Sequence, residues 1–192
     1  MARAIRLLPI VGALGGAIAC VAAPSASDVF VIARPKVMVL RATGSRTTVG
    51  TAFLADDGLL LTAHHVVRDG RTCQVHANGA AYAVALAAAD ADRDVAVLAF
   101  RERRLSMKPL PLGESDRLRE GEPLLVLTTG AARPGARAEL EERLAIPARF
   151  AGRSERRGPT GAIGPHLDLA VTVARGDSGA PVLRLADGAV VG

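Results

Sequence analysis

Three short segments carry residue types suited to nucleophilic catalysis: Leu61-Thr62-Ala63-His64-His65-Val66-Val67, Asp92-Arg93-Asp94-Val95-Ala96-Val97-Leu98 and Arg175-Gly176-Asp177-Ser178-Gly179-Ala180-Pro181. A serine hydroxyl is too weakly acidic to attack a carbonyl at neutral pH. An imidazole must take its proton, and a carboxylate must hold that imidazole in one tautomer and one orientation. Gly176 adds a second element. Without a Cβ it can aim its N–H at the point reached by the N–H of Ser178, and two such donors make an oxyanion hole. Losing one donor from such a hole costs roughly 2.7 to 4 kcal/mol of transition-state stabilisation.

A lone G-x-S-G is a weak signal in a chain with 20 glycines. The order His, Asp, Ser strengthens it, and it is the order of neither the α/β-hydrolases nor the subtilisins. The residues alone leave choices. His64 competes with His65, and on a strand the two would point to opposite faces and could not share one task. Asp90 and Asp92 compete with Asp94, but only Asp94 abuts the apolar run 95–100, and the other two read as solvated turn carboxylates. Ser106 has no glycine neighbour and reads as a linker serine.

Together these segments resemble the trypsin-like (chymotrypsin-fold) serine proteases, most nearly the bacterial Deg or high-temperature-requirement type, from about residue 37 to residue 192. Gly50-Thr51-Ala52-Phe53 and the run from Gly58 to Val66 resemble the strand pair that leads to the catalytic histidine. Asp94-Val95-Ala96-Val97-Leu98 resembles the aspartate strand. Leu110-Pro111-Leu112-Gly113, Ser115 and Gly121-Glu122-Pro123 resemble the segment between two barrels. The resemblance implies His65 as general base, Asp94 as orienting acid, Ser178 as nucleophile, and the amides of Gly176 and Ser178 as oxyanion hole. It places the floor of the specificity pocket at Thr172, Val173 and Ala174, where no carboxylate could pair with a basic side chain. Cleavage after Val, Ala or Leu is therefore expected.

Two departures stand out. Gly179-Ala180-Pro181 replaces the usual Gly-Gly-Pro, a change of one methyl. In zymogen members the aspartate at position 177 pairs with an amino terminus released by cleavage, yet no Ile-Val-Gly-Gly-like sequence lies near the start, so its partner is left open. The expected function is a serine endopeptidase acting on protein or peptide substrates through an acyl-enzyme. The alternative is a protease-fold binding or chaperone module with a latent site.

Composition bounds the remainder. With 192 residues, 49% of them hydrophobic and 22% charged, the chain is globular and can bury one or two cores. Its net charge of +5 falls to +3 without Arg3 and Arg6, too mild to argue for a nucleic-acid partner. Lys36 and Lys108 are the only lysines. No phosphate loop, dinucleotide loop or metal-ligand spacing occurs, so neither cofactor nor metal is expected.

Residues 1–23 read as an export signal, with two arginines followed by an apolar stretch and small residues. The expected location is periplasmic or secreted, with no membrane span once the signal is removed. Lipid anchoring at Cys20 and retention of the signal as an anchor are the secondary readings. Signal removal would leave Cys73 without an intrachain partner, and it reads as a small buried strand residue.

The elements that must position these residues are short strands, read at 36–42, 48–54, 59–62, 81–86, 95–100, 124–128, 144–150, 167–173 and 181–184, with Cys73 inside a further strand. Asp56-Asp57-Gly58 and Ala186-Asp187-Gly188 read as hairpin turns. The expected fold is all-β, two antiparallel barrels with the active site in the cleft between them. The expected parts are an N-terminal barrel over 29–105, a linker over 106–121 and a C-terminal barrel over 122–192. The arginine-rich stretch 149–165 reads as a surface loop, and 131–143 as a short helix or a loop. Only residues 179–192 follow the nucleophile, so the second barrel is expected to be incomplete and the isolated chain poorly stable.

Overall fold

A computed structural model describes residues 24–102, 105–130 and 143–192. The export signal read over 1–23, Cys20 within it, and nearly all of the stretch 131–143 lie outside the described residues.

Six strands close into an antiparallel barrel: β1 (Val37–Gly44), β2 (Thr47–Asp56), β3 (Leu59–Ala63), β4 (Gly70–Ala77), β5 (Ala80–Asp90) and β6 (Val95–Phe100), in the order β1-β2-β3-β6-β5-β4. Met38, Leu40, Leu54, Leu60, Val75, Val84 and Leu98 fill its interior. β1 has no polar alternation because both its faces are covered. Met38 and Leu40 point into the barrel, while Val37 packs with Leu125, Leu127 and Leu183 of the second unit. The β2–β3 hairpin turns at Asp57-Gly58, as the sequence predicts. The β4–β5 hairpin turns at Asn78-Gly79, with φ of 52° and 73°, the left-handed pair that an Asn-Gly dipeptide supplies most readily.

The second unit is a four-stranded antiparallel half-barrel of β7 (Pro123–Thr128), β8 (Leu144–Arg157), β9 (Ile163–Ala170) and β10 (Val182–Arg184), in the order β10-β7-β8-β9. The fold is thus all-β and chymotrypsin-like, one closed barrel beside an open sheet. The stretch 149–165 is not a loop. β8 continues to Arg157 and pairs with β9 as far as Arg157↔Ile163, past a bulge between Phe150 and Gly152. Its residues Ser154-Glu155-Arg156-Arg157 are polar on both faces, so hydrophobic alternation gives no sign of the ladder that holds them.

Two helical pieces also differ from the strand-only reading. Ser25 caps helix α1 (Ala26–Ala33), accepting from the Asp28 amide at 3.2 Å while Asp28 Oδ2 accepts from the Ser25 amide at 2.9 Å. The helix buries Val29 and Ala33 against Leu125, Leu127 and Leu183. His64–Val67 forms a single helical turn, α2, so His64 and His65 do not stand on a strand. No helix among the described residues is long and apolar enough to cross a membrane.

Cys73 sits half-buried on β4, and burial pushes its thiol above the ordinary value. A neutral thiol is a poor nucleophile. In a Cys20→Ser chain at pH 8, Cys73 is expected to react with iodoacetamide at least about tenfold more slowly than free cysteine, with the difference abolished by urea. Equal rates in the folded protein would contradict this environment.

Candidate active site

β3 ends at Ala63, whose side chain cannot cap the turn that follows it. Asp94, from the turn between β5 and β6, supplies the cap from beside it, since Ala63 pairs with Val95 of the neighbouring β6. Its main-chain oxygen accepts from the His64 amide at 3.0 Å, and its Oδ1 accepts from the His65 amide at 2.8 Å. Its Oδ2 lies 2.6 Å from His65 Nδ1. A carboxylate only accepts, so Nδ1 carries the proton and Nε2 is left with a lone pair. Asp94 does this at φ 54°, a left-handed conformation that few non-glycine residues other than Asn and Asp tolerate. The two side chains are 45% and 46% exposed. At that exposure such a pair adds at most about 1 kcal/mol to stability, so its main effect is orientation. His64, on the same helical turn, is directed away by the rotation between successive helical residues.

The loop carrying Ser178 is held by β2. Thr51 is fully buried, and its amide donates to the main-chain oxygen of Ser178 at 2.8 Å while its hydroxyl donates to that of Gly176 at 2.9 Å. The residues on either side of Asp177 are thereby fixed to the closed barrel through their carbonyls. Thr62, two residues before the helical turn of His65 begins, donates its hydroxyl to the Thr51 carbonyl at 2.7 Å. The buried carboxylate of Asp177 accepts from the Thr128 hydroxyl at 2.7 Å and from the Ala174 amide at 2.7 Å. The Thr128 hydroxyl and the Ala174 amide are thus two of the donors that hold it in the fold. Since Thr51 and Thr128 each spend their one hydroxyl proton elsewhere, their 3.4 Å approach is not itself a bond, whereas Thr129 can donate to Thr51 across 3.3 Å.

Two glycines make the close approach possible. Gly179, at φ 84°, presses so tightly on β2 and β3 that a Cβ would lie 2.2 Å from the Thr51 oxygen and 2.4 Å from Thr62 Oγ1. A Cβ on Gly50 would lie 3.0 Å from both the Ser178 oxygen and the side chain of Val66, the residue after His65. The serine loop therefore lies across Gly50 from the histidine turn.

Of the residues predicted from sequence, His65 and Asp94 are joined directly, and Ser178 is brought to the same strand pair. Among the described residues no hydrogen bond links Ser178 Oγ to His65, a bond that in many enzymes of this chemistry tightens only with substrate. Gly176 is buried with φ 92°. Thr172, Val173 and Ala174 lie together on an exposed segment, Val173 at 60% exposure. Ser106 is exposed on the segment between the two units. Asp92 is not a solvated turn carboxylate; it binds Thr160 across the molecule. Asp90 accepts the amides of Asp92 and Arg93, each at 3.0 Å, and the Arg93 contacts hold its carboxyl below the usual range. An apolar cavity of about 380 Å³ opens beside Asp94 between Phe53, Leu61, Leu112 and Val190, but neither His65 nor Ser178 lines it. Sequence reasoning missed Thr51, Thr128 and Thr129 as parts of the site. The one local signal was the pair Thr128-Thr129 before Gly130, polar residues closing an apolar strand.

Residues 50–192 match the family model of the trypsin-like peptidase domain. No curated protein matches the chain. Among solved structures, an inactive mutant form of the Rv3671c protease from M. tuberculosis superposes with a TM-score of 0.71, covering 90% of this chain and 85% of that one at 25% identity. The active form of that protease gives 0.70, covering 100% and 82% at 23% identity. The HtrA-type protease AlgW with a tripeptide gives 0.73, covering 87% of this chain and 52% of that one at 20% identity.

The Thr51 contacts generate a graded prediction. Thr51→Val removes the hydroxyl that satisfies the buried Gly176 oxygen and should cost about 1 to 3 kcal/mol in urea unfolding. Thr51→Ser keeps the hydroxyl and should cost about 1 kcal/mol or less, for one methyl. Gly179→Ala, forced into the left-handed region against β2, should cost more than either. Equal stability of Thr51→Val and Thr51→Ser would show that the hydroxyl carries no weight.

Proposed function

The chain belongs to the trypsin-like peptidase family, and we propose that it hydrolyses peptide bonds through an acyl-enzyme with His65, Asp94 and Ser178 as its triad. The observation that carries this reading is the carboxylate of Asp94, which holds both the backbone and the ring of His65 on the strand pair that also anchors the Ser178 loop. His65 Nε2 takes the proton from Ser178 Oγ as the oxygen attacks the substrate carbonyl carbon. The amides of Gly176 and Ser178 receive the oxyanion, and Asp94 stabilises the imidazolium that forms. The imidazolium then protonates the departing amine, leaving an ester on Ser178. Water, deprotonated by the same ring, hydrolyses that ester.

A latent site used for binding is the competing reading, favoured by the missing Ser178–His65 hydrogen bond among the described residues. Titration with a fluorophosphonate decides between the two. The peptidase reading predicts stoichiometric labelling, abolished in Ser178→Ala and in His65→Ala. Asp94→Asn should slow turnover on the order of 10⁴-fold, the loss this change causes in chymotrypsin-type enzymes. Absence of labelling in folded wild-type protein, or a loss below about tenfold for Asp94→Asn, would contradict the assignment.

Cleavage after Val, Ala or Leu is proposed from the uncharged segment Thr172-Val173-Ala174; a peptide-library profile dominated by Arg and Lys would refute it. Export is proposed from the apolar residues 1–23, and a mature amino terminus still at Met1 in the cytoplasmic fraction of expressing cells would refute that.

A further inference from the structure

We propose that the tip of the β8–β9 hairpin clamps the turn that carries Asp94, with Asp92 and Thr160 as positioning residues for the His65–Asp94 pair. The inference rests on the triad reading above for its meaning in catalysis, but the clamp itself has an independent readout.

The contact joins two elements far apart in the chain. Asp92 Oδ1 accepts from the Thr160 amide at 2.9 Å, and its Oδ2 accepts from the Thr160 hydroxyl. Beside them the hairpin main chain lies directly on the turn. A Cβ on Gly158 would fall 2.3 Å from Asp92 Oδ1 and 2.5 Å from its Cα, so no larger residue fits there without displacing one of the two. The tip is itself a closed unit. The Gly158 amide donates to Ala162 O at 2.8 Å, the Gly161 amide to Gly158 O at 3.0 Å, and Arg157 Nη1 to Gly161 O at 2.8 Å.

The turn it grips has little freedom of its own. Asp90 holds one side, accepting the amides of Asp92 and Arg93 and pairing with Arg93 Nη1 at 2.7 Å. Asp92 holds the other side, and its carboxylate is satisfied by the neutral donors of Thr160. Between them Asp94 keeps a left-handed φ of 54°, a conformation outside the basins most side chains occupy. It also makes three simultaneous contacts with His64 and His65. A strained residue with three directional bonds needs its neighbours fixed, and the clamp fixes the residue two positions before it. Displacing the tip should let Asp94 relax and leave the His65 ring free to rotate.

The test compares full-length wild type with Asp92→Ala, Gly158→Ala, Thr160→Val and Thr160→Ser, each checked for cooperative unfolding. Two quantities are read: the rate constant of fluorophosphonate labelling, and the downfield proton resonance of His65 Nδ1–H, assigned by its loss in His65→Gln. In Asp92→Ala and Gly158→Ala the rate is expected to fall about 10- to 100-fold, the scale of a misplacement near 1 Å, and the resonance to move upfield and broaden. Thr160→Val should lie between, and Thr160→Ser should match wild type in both. Folded variants that keep wild-type rate and resonance would overturn the clamp. So would a smaller labelled fraction whose rate and resonance are unchanged, since that marks a purely structural contact. If wild type is not labelled and the resonance is still lost in Asp92→Ala and Gly158→Ala, the clamp stands and the triad reading falls.

Discussion

Thr51 belongs to the closed barrel, but the groups it holds belong to the loop of Ser178 in the other unit. Its amide and its hydroxyl take the carbonyls on either side of Asp177, and its own carbonyl takes the hydroxyl of Thr62, three residues before His65. One residue therefore sets the distance between the strand pair that leads to His65 and the loop that bears Ser178. The constraint works because Thr51 is buried. An exposed hydroxyl could exchange its protein partners for water at little cost, whereas a buried carbonyl stripped of its donor keeps the full desolvation penalty.

The same economy recurs in the carboxylates. Asp94 caps the helical turn of His64–Val67 and orients the ring of His65 with one side chain and one carbonyl. Asp177 is buried, yet the bonds described above come from a hydroxyl and an amide. Asp90 and Asp92 brace the turn before Asp94, the first on main-chain amides and the Arg93 guanidinium, the second on Thr160. Rigid placement of a few groups, not the strength of any single pair, is what such a site draws on for rate.

How much of this was legible in the sequence depended on whether the signal was local. The strand 95–100 coincides with β6 because its apolar run starts sharply at the aspartate turn and ends at the charged segment after Phe100. The pairing of His65 with Asp94 is what the resemblance of their segments to the protease motifs implies. The outer part of the β8–β9 hairpin, within 149–165, reads as a loop because Ser154 to Arg157 are polar on both faces and only the ladder reveals them. Helix α1 went unread although Ser25 and Asp28 stand at capping-box spacing. Beyond the pair Thr128-Thr129 at the end of an apolar strand, the threonine network and the contact between Asp92 and Thr160 leave no local pattern, since their partners come together only once both units have folded. Asp92 was accordingly taken for a solvated carboxylate. The turn at His64–Val67 was hidden for the same reason: its cap arrives from Asp94, far along the chain.

The central claim is that the fold holds the Ser178 loop, through Thr51, in register with the His65–Asp94 pair. A crystal structure of the protein after reaction with a peptidyl phosphonate measures that register directly. The account predicts phosphorus bonded to Ser178 Oγ, one phosphonyl oxygen within about 2.7 to 3.1 Å of the amides of Gly176 and Ser178, and His65 Nε2 facing the adduct. It also predicts Thr51 still bonded to the carbonyls of Gly176 and Ser178. An adduct whose oxygen points to solvent, or a loop that forms the oxyanion hole only after leaving Thr51, would contradict it.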